Sequence, residues 1–588
     1  MVRRPYLVTI LTMGVLALAL LVVPPAKRPT PPPRTDDRVV SGAFHVHTSR
    51  SDGMRSVPDV AAAAARAGLD FVILADHGDG TRAPEAPRYL DHVLLLDAVE
   101  ISTRHGHYVA VGLPAVPFPL GGDGRDVAAD VRRFGGFGVI AHPTSPKSDL
   151  RWTEGRNVQV DGIEWINSDS EWRDESSYTL VRALLRFPFG PAETLASMLD
   201  RPTDAIAEWD ARLADHPVVG IPGADAHGGI RWDDTSGTAD PPPAPGTIEI
   251  PGYEATFRAF SLRLRVDQPL TGDASLDAQL VESALRRGRL FSVIDGLAAP
   301  GRVEFAATSG SGRAGMGELL RFDGPVEIIA RLEGAPGVEL VLIRDGVEWH
   351  REAGPTLRHR FDAEQSTSIR LEGRLAGAPG VPPVPWIVTN PIYIRVVDHP
   401  TGIADEPAGE EPLPSGDVPR RLSPSAGVAW ALETDRSSRG DLDFGSDEGV
   451  RLHYVLGQDG DPSPFVAMRV ALDTGVTSGH AIRFKAWADR ACRLSVQLRA
   501  SAHGTRWQRS VYIDDVPAWY SVAVADMRPV DPAADSVAPG PEGTEADTLL
   551  FVIDTVNARP GDSGMIEVTV AEVLGPAASA QVRTPSSK

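Results

Sequence analysis

The sequence predicts an α/β barrel followed by one or two β-sandwich domains, and three patterns carry that prediction. Short apolar runs end in histidines and acids, helical segments separate them, and beyond residue 300 the periodicity changes to short alternating strands broken by Gly, Pro and Asp turns. At 588 residues the chain exceeds what a single hydrophobic core serves, so several domains are required.

The first element is Phe44-His45-Val46-His47, followed by Thr48-Ser49-Arg50-Ser51-Asp52-Gly53. Residues i and i+2 of a strand share a face, so His45 and His47 can grip one metal ion together. A helix follows, opened by Ser56, Pro58 and Asp59 and continued through residues 61–67 to Gly68. The run Leu69-Asp70-Phe71-Val72-Ile73-Leu74-Ala75-Asp76-His77 reads as a buried parallel strand with polar residues at its carboxyl end. The same form recurs at residues 93–100, ending in Glu100, at 138–143, carrying His142, and at 218–227, where Asp225 and His227 repeat the i, i+2 spacing. Strands that deliver His, Asp and Glu at their ends describe a barrel whose ligands converge at one mouth. Nine of the fifteen histidines lie between His45 and His227, a clustering that favours metal over chance. A helix over 275–287, closed by Gly288, precedes a strand over 289–293 that is expected to complete the barrel.

Taken together, His45-x-His47-Thr48-x-x-Ser51-Asp52-Gly53, Ala75-Asp76-His77, Glu100, Gly106-His107, Ala141-His142-Pro143 and Asp225-x-His227 resemble the PHP (polymerase and histidinol phosphatase) superfamily. The phrases over residues 284–289 and 389–393 look more like its CehA/McbA branch. The resemblance covers roughly residues 40–300. It implies a distorted (β/α)7 barrel holding two or three divalent ions (Zn, Mn or Fe). It also implies a role for each matched residue. His45, His47 and Asp225 hold one ion, Glu100 bridges to a second completed by His107 and His142, and Asp52, His77 and His227 hold a third where one is present. The catalytic water is then held by Glu100, Asp225 and His227. His105, two residues before His107, competes with it for the ligand role. Asp76 is either an orienting carboxylate or a solvated strand-end acid, and Arg104, Lys147 and Arg173 are candidate anion contacts.

Paired divalent ions activate water and stabilise charge on an attacked phosphoryl or carbonyl oxygen, which makes hydrolysis the favoured reaction class. The sequence shows no Gly-x-Ser-x-Gly elbow and no phosphate-cradling loop. The leading expectation is a metal-dependent phosphoesterase. The alternatives are a carbamate, amide or ester hydrolase, as the CehA/McbA resemblance implies, and a non-catalytic surface protein that binds polysaccharide.

The expected domain order is a signal anchor and Pro-rich linker (1–38), the metallohydrolase barrel (39–300), a small β-sandwich (301–399), a linker (400–424), a galactose-binding-like jelly roll (425–577) and a disordered tail (578–588). For residues 301–399 an extension of the barrel's own covering layer is the other reading. In the jelly roll Trp487, Trp507, Trp519 and Tyr520 are either core or platforms for sugar rings. At the amino end, Arg3 and Arg4 precede about eighteen largely apolar residues (6–23), read as an uncleaved signal anchor or a cleaved signal; either exports the enzyme. Cys492 is the only cysteine, so no disulfide forms within the chain. A net charge of -21 argues against nucleic-acid partners, leaving a small-molecule or glycan-linked substrate, carbohydrate, and the membrane through the N-terminal segment.

Overall fold

A computed structural model of the chain describes residues 36–229, 250–322, 324–396, 419–445, 449–458, 463–502, 504–530 and 546–575. The expected signal anchor, the disordered tail and most of the 400–424 linker lie outside the described residues. Two compact units result, one within residues 1–115 and 123–401, the other taking Val116–Gly122 and positions from 402 on.

The first unit is built on a closed ring of seven strands: β1 (Val39–Val46), β2 (Phe71–Leu74), β3 (Val93–Thr103), β4 (Gly106–Val111), β5 (Phe137–Ile140), β6 (Gly162–Asn167) and β7 (Val219–Ala226). Each pairs with the next, and β7 pairs back onto β1. All pairings are parallel except β3–β4 and β4–β5, so β4 runs against the other six. The seven-stranded ring of the expected distorted (β/α)7 barrel is present, but a strand–helix unit does not repeat seven times around it. Only Arg104 and His105 separate β3 from β4, and so short a link can form a hairpin but not the crossover that parallel pairing needs.

Helices occupy three of the connections: α1 (Val57–Ala67) after β1, α2 (Gly124–Arg133) after β4, and α3 (Ser168–Arg173), α4 (Ser177–Arg186), α5 (Pro191–Ala196) and α6 (Thr203–Leu213) between β6 and β7. α1 matches its sequence signals with one change. Gly68 closes it in the left-handed conformation (φ 80°), but the Ser56 hydroxyl donates to Asp59 at 2.6 Å and does not cap the backbone. Its inward face, with Val60, Ala61 and Ala64, packs against Val72 and Leu74 of β2.

After β7 come α7 (Tyr253–Ala259), β8 (Ser261–Arg265), α8 (Ala274–Arg286) and β9 (Leu290–Val293). The expectation that the strand near 289–293 completes the barrel is also corrected. β8 pairs antiparallel with the first half of β1, β9 pairs with β8, and Ile387–Thr389 pairs with β9, so the sheet runs on outside the ring. Asn390 ties this extension back to the barrel, since its side chain exchanges hydrogen bonds of 2.9 and 2.8 Å with the backbone of Gly220 in β7. A separate four-stranded sheet (Gly312–Gly315, Val303–Ser309, Pro325–Leu332, Thr356–Asp362) shares a core with the extension through Phe305, Ile328, Leu342 and Trp386. Residues 301–396 thus form a sandwich, one sheet of which is continuous with the barrel's own.

A buried charge network crosses this unit. Glu372 on Thr367–Leu375 accepts two 2.8 Å bonds from Arg201 and bonds of 3.0 and 2.8 Å from Arg374, with Arg370 at 3.6 Å. Arg370 is held in turn by Asp210 and stacks over Trp209 of α6 at 5.0 Å. Burial opposes charge on Glu372, but the three guanidiniums outweigh it and hold its pKa at about 2.

The second unit is an antiparallel sandwich of two six-stranded sheets. Trp430, Phe484, Trp507 and Phe551 lie in its core, and Tyr520 packs against that core beside Phe484, so Trp507 and Tyr520 are structural aromatics. Trp519 is exposed, with the Arg483 guanidinium 4.2 Å over its ring. Cys492 is buried, which pushes its thiol up to about 12.

Candidate metal centre

β1 carries His45 and His47 into the barrel through an irregularity in its pairing between Ala43 and Val46, and both imidazoles are fully buried. Their Nε2 atoms each lie 3.3 Å from Oε2 of Glu100, and 3.7 and 3.4 Å from Oδ1 of Asp225. Glu100 comes from the middle of β3 and is the point on which the centre converges. His77, just past β2, places Nδ1 at 3.2 Å from Oε2, while His107 of β4 and His142 beyond β5 each reach Oε1 at 2.9 Å. Five imidazoles therefore surround one carboxylate, three on one oxygen and two on the other.

Asp52 closes a neighbouring arrangement. Its carboxylate lies 3.2 Å from His47 Nδ1, 3.5 Å from His77 Nε2 and 3.1 Å from His227 Nε2, and His227 Nδ1 is 3.6 Å from Asp225. All nine residues named from the sequence thus occupy one site. Four overlapping groups in it have donor atoms close enough to share an ion: His45/Glu100/His142, His45/His47/Asp225, His47/Asp52/His227 and His47/His77/Glu100.

The backbone is bent to make this possible. His45, His142 and Asp225 are three of the six described non-glycine residues in the left-handed region, at φ 64°, 28° and 42°. Such conformations cost roughly 1–3 kcal/mol each and persist only where surrounding structure imposes them. Asp76 accepts the Thr48 amide at 2.7 Å and the Ser51 hydroxyl at 2.8 Å, which shapes the loop that presents Asp52. The Tyr253 hydroxyl lies 2.9 Å from the His47 carbonyl and 3.0 Å from that of His227, linking the two ligand loops.

Glu164 joins the site without any spacing motif in the sequence to mark it. Its Oε1 lies 2.7 Å from His45 Nδ1, and its Oε2 accepts the His142 amide and the Asn167 side chain, each at 2.7 Å. That leaves His45 Nε2 facing Glu100 and Asp225, the orientation a carboxylate behind a ligating imidazole enforces. Gly223 makes the room, since a Cβ there would come within 2.2 Å of the Glu164 carboxylate. The available signal was that Glu164 stands near the carboxyl end of an apolar strand, the pattern used for Glu100.

Electrostatics favour a cation here. Burial opposes charge on His45, yet Glu100, Glu164 and Asp225 outweigh it and hold its pKa well above the imidazole range; for His47 the same opposition is overcome by Asp52, Asp225 and Glu100. Burial would raise Glu100, but the surrounding imidazoles hold it well below the carboxylate range. His45 Nε2, His47 Nε2 and His77 Nδ1 are buried and make no hydrogen bond, although each aims at a carboxylate. Converging lone pairs inside a ring of acids fit a divalent ion, and a nitrogen and oxygen donor set without thiolate suits zinc, manganese or iron.

His105 stands apart. Its Nδ1 lies 3.1 Å from the buried Glu154, which also accepts the Arg125 amide of α2. We expect His105→Ala to keep nearly its full metal content and His107→Ala to lose metal, measured by elemental analysis of the purified variants; the opposite pattern would make His105 the ligand. Of the candidate anion contacts, Arg173 is paired with Asp169 and stacked on Trp172, and Arg104 lies 4.0 Å from Asp123.

No protein-family model matches the sequence, and no curated protein matches it. Among solved structures, a two-domain protein from Bacteroides vulgatus containing a predicted PHP-like metal-dependent phosphoesterase is similar over 59% of this chain and 94% of its own, at 16% identity and a TM-score of 0.28. The family 11 carbohydrate-binding module of the cellulosomal cellulase Lic26A-Cel5E of Clostridium thermocellum is similar over 27% of this chain and 96% of its own, at 14% identity and a TM-score of 0.22. A family 11 module from the same organism, in complex with a mixed-linked tetrasaccharide, shows 15% identity over 27% of this chain and 98% of its own, with a TM-score of 0.22.

Proposed function

We propose that the chain is a divalent-metal-dependent hydrolase acting on phosphoesters. One observation carries the reading: five imidazoles surround the two oxygens of a single buried carboxylate, Glu100, in two sets. A carboxylate shared in this way is the bridge a multi-metal site needs, with His107 and His142 on one side and His45, His47 and His77 on the other. Asp225 serves the same side as His45 and His47, and Asp52 with His227 offers a further position. Divalent ions bound there supply Lewis acidity and lower the pKa of a coordinated water.

The chain's own residues do the positioning. Glu164 sets the ring of His45, Asp76 sets the loop that delivers Asp52, and the left-handed backbone at Asp225 turns its carboxylate toward His45 and His47. A phosphoester is favoured because six imidazoles and three carboxylates, Asp52, Glu100 and Asp225, leave net positive charge once two or three divalent ions are held, which suits an anionic group.

The test is a substrate panel with zinc, manganese and iron in turn, comprising p-nitrophenyl phosphate, a phosphodiester and an aryl carbamate. Turnover of a phosphoester that chelation removes is the expected result. Turnover of the carbamate alone would replace the reading with a carbamate hydrolase of the CehA/McbA type. Metal binding without turnover of any would leave a non-catalytic binding protein.

A further inference from the structure

The stretch from Tyr178 to Phe189 presents its apolar side outward. α3 begins directly after Asn167, whose side chain holds Glu164, so this helical connection leaves the barrel at the end that carries the metal centre. α4 follows, with the Ser176 hydroxyl accepting the Thr179 amide at 3.2 Å, and ends in the turn Phe187–Phe189. At 100° per residue Tyr178, Val181, Leu184 and Leu185 fall on one arc of α4, while Thr179, Leu180 and Ala183 fall on the other. A surface helix ordinarily turns its apolar arc to the core. Here Tyr178 is 65%, Val181 56% and Leu184 55% exposed, with Phe189 at 54% beyond the helix, and no residue of α4 is buried. The other nine exposed large apolar side chains among the described residues are scattered from Leu276 to Trp519. An exposed apolar helix face of this kind marks an interaction surface.

The border of the patch selects the partner. Arg182, exposed, and Arg186, half-buried, border one side of the apolar arc one turn apart, a cationic edge on a chain whose net charge is -21. Apolar side chains with an aromatic, bordered by arginines, are the composition of a helix that lies in the plane of a membrane interface. The same chain carries the apolar stretch 6–23, followed in sequence by a Pro-rich run through Pro33. We infer that α4 and Phe187–Phe189 seat on an anionic phospholipid surface, which turns the metal-centre end of the barrel toward the headgroups. This contact is additional to any made by residues 6–23 and does not depend on the reaction catalysed.

The experiment uses the single cysteine. Cys492 is buried and its thiol is raised to about 12, so Leu184→Cys in the full chain provides one reactive thiol for an environment-sensitive fluorophore. Val347→Cys, at another exposed apolar position, is the control. Vesicles of phosphatidylcholine with about one-third phosphatidylglycerol are expected to brighten and blue-shift the label at 184 several-fold, and a lipid-borne quencher to dim it. The label at 347 is expected to stay unchanged. Phosphatidylcholine alone, or the Arg182→Glu/Arg186→Glu background, is expected to reduce the response severalfold. The inference is overturned by an unchanged label at 184 on anionic vesicles or by equal responses at 184 and 347, which would mean attachment through residues 6–23 alone. It is equally overturned by a concentration-dependent response without vesicles, which would mean that a second copy covers the patch.

Discussion

Glu100→Gln is expected to abolish metal-dependent turnover, by about 10³-fold or more, while the folded barrel survives. The substitution keeps the shape of the side chain and removes its charge. What is lost is a carboxylate in contact with five imidazoles, two at 2.9 Å on one oxygen and three at 3.2–3.3 Å on the other. One side of the new amide presents N–H donors to histidine nitrogens whose lone pairs the site would commit to metal. Metal content is therefore expected to fall together with activity, and thermal unfolding of the variant without added metal to stay close to that of the parent. Elemental analysis, turnover and calorimetry on one preparation decide this. A Gln variant that keeps its metal and its activity would remove Glu100 from the bridging role.

The second large effect is on stability. Glu372→Ala is expected to cost about 3–5 kcal/mol, because it leaves three arginines around a vacated buried position. The same network predicts an acid limb. The folded pKa of Glu372, about 2, lies below the ordinary value of 4.5, so its contribution is complete above pH 4.5 and is lost as pH falls toward 2. The shift of roughly 2.5 pH units corresponds to about 3 kcal/mol. Denaturant midpoints between pH 2 and 6 test both statements. The parent should lose stability over that window, and Glu372→Ala should start lower and lose less. Superimposable acid limbs would show that other carboxylates govern the acid response.

How far the site was legible depends on the kind of signal each residue carries. His45 and His47 declare themselves by a two-residue spacing on an apolar strand, and Asp225 with His227 repeats it, because alternation along a strand is a purely local property. Glu100 and His142 were legible from their place at the ends of apolar runs. Glu164 shares that place, but its partners His45 and His142 come from two other segments of the chain, and only their meeting distinguishes an orienting carboxylate from a solvated one. His105 and His107 were not separable by spacing alone. The hairpin sets His107 opposite Ser102, two positions from Glu100 on the adjacent strand, and leaves His105 in the turn against Glu154.

The fold divides along the same line. α1 is written in its own residues, from Pro58 to the left-handed Gly68, and the structure places it at Val57–Ala67. The reversal of β4 was not foreseen, since an apolar strand has the same composition in either direction and only the shortness of its link to β3 excludes a crossover. The strand near 289–293 looked like the barrel's last, but the ring closes through β7 onto β1, and β9 belongs to the sheet that continues outward. α4 has an apolar face whichever way it is turned. By itself the sequence determined which side chains lie at strand ends and that they are metal-ligating types, because periodicity and composition are properties of neighbouring residues. Only the tertiary structure decided which oxygen meets which nitrogen, which carboxylate stands behind His45, and that the apolar face of α4 points away from the core, because each is a distance or direction between segments far apart along the chain.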